Sequence, residues 1–159
     1  MEALTEQAVL DRLLVKASGP CHAGIDDADC LAWMKQLIKT GANVNAVVTG
    51  CHSMERFACT AIHTATYWNS IDKMKVLVDS GAQINLPNEY GETPLLIAAC
   101  TESYDTRAVR WLMKRGARWQ LAFVRSPLWD IYEQETHRRV VAATIVEKLC
   151  GMVVELNES

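Results

Sequence analysis

The chain has 159 residues, half of them apolar, and a formal net charge of −3. The length suits one domain. No apolar run approaches the roughly 18 residues of a membrane span, and the charge leaves no electrostatic footprint for nucleic acid.

From the N-terminus, Met1 to Val15 alternates acidic and apolar residues. It lacks the basic start and apolar stretch of a secretory leader. Leu4 to Val15 and Cys30 to Lys39 read as two helices, joined by a Gly/Pro/Asp-rich loop from Ser18 to Asp29. Gly41-Ala42-Asn43-Val44-Asn45 closes that unit. The next first helix starts at Thr60. Its partner carries Met74, Val76, Leu77 and Val78 as an apolar stripe, and Gly81-Ala82-Gln83-Ile84-Asn85 ends it. Asn88-Glu89-Tyr90-Gly91 has turn chemistry. Thr93 then serves as an N-cap and Pro94 as the first helical residue, where a missing N–H costs nothing. A second helix runs from around Thr106 to Lys114 on Val109, Leu112 and Met113, closed by Gly116. Ser126-Pro127 opens a fourth unit, whose apolar pattern from about Glu135 to Cys150 meets no Gly-Ala exit.

Thr60, Thr93 and Ser126 stand 33 residues apart, and the Gly-Ala exits at Gly41, Gly81 and Gly116 interleave with them. Self-similarity at such a period marks a stacked repeat protein, in which each unit contacts only its neighbours. Gly91-Glu92-Thr93-Pro94-Leu95 with Ala98-Ala99, and Thr60, Ile62, His63 and Ala65 with Gly81-Ala82-Gln83-Ile84-Asn85, resemble the ankyrin-repeat family. The resemblance implies an all-α solenoid of about four helix-turn-helix repeats with finger loops and irregular ends. It would be a single domain over 1–159, divided into an irregular N-terminal repeat 1–46, repeats at 47–86 and 87–121, and a C-terminal capping repeat at 122–159. In that pattern His63 braces its turn through both ring nitrogens; Leu96 and Trp129 take its place in the later repeats. From Gly41 to Thr60 is 19 residues and from Gly81 to Thr93 is 12, so the first finger carries seven extra residues, roughly Val48 to Met54.

The resemblance also implies protein–protein recognition through a concave face of fingers and inner helices. Carried over by position, the partner-binding residues are Arg56, Phe57 and Cys59 in one finger and Glu89, Tyr90 and Glu92 in the next. Tyr67, Trp68, Cys100 and Thr101 stand at helix ends, and Phe123 in the fourth unit. Tyr67-Trp68 weighs most, since adjacent outward aromatics are anchors that interfaces favour; the alternative is that Trp68 covers the inserted finger. The second helices carry Lys35, Lys39, Lys73, Lys75, Arg107, Arg110, Lys114, Arg138 and Arg139, which would make the inner face acidic and aromatic and the outer one basic; the alternative is that both faces are merely solvated. The partner is another protein, a peptide segment included, with no nucleic acid and no membrane. The role is scaffold, adaptor or occluding inhibitor in the cytoplasm or nucleus. The other reading is a self-associating module that packs through the unclosed C-terminal repeat; a monomer is the expectation.

Six cysteines are spaced irregularly without a C-x-x-C pair, and reduced thiols are expected. Cys21-His22 and Cys51-His52 have ligand types that suit zinc, but they fall at opposite ends of the repeat helices. No Gly-rich phosphate loop, H-E-x-x-H or G-x-S-x-G is present. Cys59 near His63 lacks a free base if the imidazole braces the turn. No catalytic residue, metal or cofactor is therefore expected.

Overall fold

A computed structural model describes residues 5–20, 26–49, 58–89, 91–100 and 107–118. They form six helices: α1 Glu6–Ala17, α2 Asp27–Thr40, α3 Ala61–Tyr67, α4 Ile71–Asp79, α5 Pro94–Cys100 and α6 Arg107–Lys114. Each consecutive pair packs as a hairpin. The first helices α1, α3 and α5 form one row, and the second helices α2, α4 and α6 form the other. This is the all-α stack that the period implies. The fourth unit, 122–159, lies outside the described residues.

The exits at Gly41, Gly81 and Gly116 set the register. All three glycines have positive φ, at 109°, 93° and 89°. At each exit the glycine amide bonds the carbonyl three residues back, and the following alanine amide bonds the carbonyl five back. That double closure is a Schellman ending, which requires a left-handed residue. Counting back from each glycine, the residues seven earlier are Met34, Met74 and Val109, and those four earlier are Leu37, Leu77 and Leu112. All six are buried and line the core between the rows. One apolar stripe, repeated three times, therefore makes one continuous interior.

Side-chain amides lock successive exits together. Asn45 donates to the Gly81 carbonyl at 3.1 Å and accepts from the Gln83 amide at 2.8 Å. Asn85 repeats this on Gly116 and Arg118, at 3.2 and 2.8 Å. At the Gly41 exit the same two bonds come from separate side chains of α1. Gln7 donates to the Gly41 carbonyl, and Asp11 accepts from the Asn43 amide.

Two details depart from the sequence reading. Helix α2 starts three residues before Cys30, because the Asp26 carboxylate accepts from the Asp29 amide at 2.7 Å and turns an acidic loop into a capped first turn. Lys73 does not belong to a basic outer face. It is 2% exposed, and its ammonium donates to the Gly19 carbonyl just beyond α1 at 2.5 Å.

Candidate functional site

The first finger leaves the stack at Val48 and returns at Cys59, where the two residues exchange backbone hydrogen bonds of 2.9 and 3.0 Å. The second finger has the corresponding closure from the Asn88 amide to the Glu92 carbonyl, at 2.9 Å. Residues 49–58 thus replace the three residues 89–91, which puts the seven extra residues in the finger beyond its base. The second finger is tightly self-bonded. Besides the closure, the Asn88 carboxamide accepts from the Glu92 amide and donates to the Glu92 carboxylate, each at 2.9 Å, and the Asn88 carbonyl takes the Gly91 amide.

His63 joins the two. Its Nδ1 faces the Thr60 hydroxyl at 2.9 Å and the Thr60 amide at 3.3 Å, while Nε2 meets the Glu92 carbonyl at 3.1 Å. A carbonyl only accepts, so Nε2 carries the proton and Nδ1 of the neutral ring is the acceptor. Burial lowers the His63 pKa from 6.5 to about 4, against the opposing pull of the Glu92 and Leu86 carbonyls. The brace read from the sequence is present. The third unit lacks this histidine. There Thr93 Oγ1 accepts from the Leu96 amide at 3.3 Å, and the Asn88–Glu92 bonds hold the turn instead.

Cys59 does not belong to an exposed finger tip. It is fully buried in the core, because the residue that pairs with Val48 at the finger base directs its side chain among the helices. Burial pushes its thiol pKa up, a Thr64 hydrogen bond opposes this, and the Glu89 carboxylate adds to the rise. With both His63 ring nitrogens engaged, the Cys59–His63 pair is not arranged as nucleophile and base. Cys30 and Cys59 are free thiols, and no group of metal-ligating side chains occurs among the described residues. The two Cys-His pairs lie outside those residues.

Tyr67 and Trp68 project as expected, 41% and 42% exposed, with ring centroids 5.5 Å apart and planes at 83°. The end of α3 explains it. The Ser70 amide bonds the Ala65 carbonyl, the Asn69 amide bonds the Thr66 carbonyl, and Asn69 has φ of 50°. An asparagine-ended Schellman turn thus leaves the two aromatics at the rim. From Ala61 to Thr66 the rest of α3 is buried. Glu89 and Glu92 stand at the opposite end of α3, about 10 Å away at 1.5 Å per residue. Glu89 accepts from the Ala58 amide at 2.7 Å, and Glu92 is tied to Asn88. Of the expected site, the described residues thus place Tyr67 and Trp68 at one end of α3 and Glu89 and Glu92 at the other. Arg56, Phe57, Tyr90, Thr101 and Phe123 lie outside the described residues, as does the side chain of Cys100. The sequence reading did not single out Trp33 on α2 or Val47 at the finger base, which are 40% and 55% exposed.

The outer row carries paired charges: Lys75 with Asp72 at 3.0 Å, and Arg115 with Asp79 at 3.3 Å. The Arg115 guanidinium also lies 5.0 Å from the Trp111 ring centre. A shallow groove between α2 and α4 is lined by Leu31 and Val76 among Lys35, Lys75, Asp72 and Asp79.

A family model described as ankyrin repeats (3 copies) matches residues 22–122, more than half of the chain. Among curated proteins, none matches it.

Proposed function

The chain belongs to the ankyrin-repeat family, whose repeats are generally protein–protein interaction modules, and we propose from this that it is a monomeric adaptor, scaffold or occluding inhibitor. Its partner docks on the finger and inner-helix side. The contact residues are Tyr67 and Trp68 at one end, and Arg56, Phe57, Glu89, Tyr90, Glu92, Thr101 and Phe123 toward the fingers and the following units. Cytoplasm or nucleus is the compartment, the partner is a protein or a peptide segment of one, and neither nucleic acid nor membrane is bound. No helix among the described residues is long and apolar enough to cross a membrane.

The observation that carries the reading is the Tyr67–Trp68 pair. Two large aromatics are held edge-to-face at the rim by a turn, while the apolar residues that stack the repeats are buried behind them. Rigid, half-exposed aromatics are the side chains that carry binding energy when a partner desolvates them. The test is affinity capture with quantitative mass spectrometry, comparing wild type with a Tyr67→Ala/Trp68→Ala variant. A defined partner should be retained by the wild type and reduced at least about tenfold with the variant, at unchanged melting temperature. Equal retention, or a melting temperature lower by many degrees, would assign the pair to packing instead.

A further inference from the structure

We propose that Glu89 is a positioning residue for the enlarged first finger: its carboxylate, mounted on the second finger, holds the returning end of the first by accepting the Ala58 amide. This deepens the proposed recognition function and rests on it, because the finger held in this way belongs to the proposed docking side.

Three observations carry the assignment. The bond itself is short, 2.7 Å from the Ala58 nitrogen to Glu89 Oε1, across 31 residues of sequence. That is the length of a charge-assisted bond to a carboxylate. The acceptor is also well mounted. Glu89 directly follows Asn88, which is buried and makes hydrogen bonds to Glu92 and Gly91 through its amide, its carbonyl and both ends of its side chain. A carboxylate on so constrained a turn is aimed rather than free. Finally, the recipient needs a tether. The second finger closes over residues 89–91, whereas the first closes over residues 49–58, and closure entropy grows with loop length. The Val48–Cys59 bridge stands at the base of that longer excursion, and the Glu89 contact falls on the next residue outward.

The tie has a counterpart in the other direction. His63, on the first turn of the helix that follows the first finger, reaches the Glu92 carbonyl at the base of the second finger. Each unit thus grips the other's finger, one through a neutral ring N–H and one through a carboxylate. Glu89 thereby acts on recognition through the placement of the first finger, which any partner contact of its own would only supplement.

Amide hydrogen exchange on the isolated protein tests this without any partner. The variants are Glu89→Ala, which removes the acceptor, and Glu89→Gln, which keeps a carbonyl oxygen in its place. In Glu89→Ala the Ala58 amide should exchange about tenfold faster or more, the factor that loss of a charge-assisted bond gives. Tryptic cleavage after Arg56 should speed up with it. The α4 amides, exemplified by Leu77, should keep their wild-type rates, and Glu89→Gln, which keeps an acceptor but not its charge, should accelerate Ala58 less than Glu89→Ala. Unchanged exchange at Ala58 in Glu89→Ala would overturn the proposal. So would acceleration by one common factor at Ala58 and Leu77, which reports general destabilisation, or equal acceleration in the Gln and Ala variants. None of these readouts depends on Tyr67 or Trp68, so the docking proposal and this one fail separately.

Discussion

Acid should destabilise this protein through His63. The ring is buried and neutral, with Nδ1 accepting from Thr60 and Nε2 donating to the Glu92 carbonyl. Protonating it places a cation in the core and turns the acceptor nitrogen into a donor facing another donor. Its pKa falls from 6.5 to about 4 on folding. The unfolded chain therefore takes up the proton more readily. The His63 contribution is complete above the unfolded pKa of 6.5 and is lost as the pH falls toward 4. Linkage puts the loss at about 2 kcal/mol by about pH 5 and about 3 kcal/mol by about pH 4. Against the roughly 5–15 kcal/mol typical of whole domains, that is a large share. The assay is urea denaturation at pH 7 and pH 5, for wild type and for His63→Leu, the residue that Leu96 supplies at the same place in the next unit. The wild type should lose about 2 kcal/mol more than the variant over that interval. Parallel losses in the two proteins would clear His63 of the effect. So would an NMR titration of the wild-type His63 ring with a midpoint near the ordinary 6.5.

Other substitutions probe the exits and the core. Gly81→Val and Gly116→Val should each cost about 1–2 kcal/mol, read from the urea midpoint, because a β-branched residue resists positive φ. A Cβ at either place meets nothing within 4 Å, so the cost is purely of the backbone. The Thr66 hydroxyl is buried and meets no hydrogen-bond partner among the described residues, so Thr66→Val should raise stability by about 1 kcal/mol, read as a higher melting temperature.

Much of this is legible in the sequence because it is periodic. The glycine exits, the stripe of Met34–Leu37, Met74–Leu77 and Val109–Leu112, the Thr60 and Thr93 starts and the His63 brace all follow from spacing or local chemistry. What stays hidden depends on contacts between units. Nothing local distinguishes Lys73 from its solvated neighbour Lys75, yet the first reaches the Gly19 carbonyl beyond α1 and the second pairs with Asp72 at the surface. Cys59 reads as part of an exposed finger because the position of the Val48 bridge is not written in the finger's own residues. Glu89 reads as a free acidic contact, and its carboxylate is committed to an amide 31 residues earlier. The clamping asparagines do leave a signal. Asn45 and Asn85 both follow their exit glycine by four residues, a recurrence that only the neighbouring unit explains.

The asparagine clamps have a consequence for how such a chain can diversify. Each clamp spans a fixed stretch, from an exit glycine to the residue two beyond it, and fixes the pitch of one unit on the next. The fingers lie outside those stretches. Residues can therefore be gained or lost at a finger tip without the change propagating along the stack, as the first finger shows with its seven additional residues ahead of two undisturbed exits at Gly81 and Gly116. Insertion can lengthen a finger while the stack inherits its geometry unaltered, so sequence length should vary more readily in the fingers than in the helices.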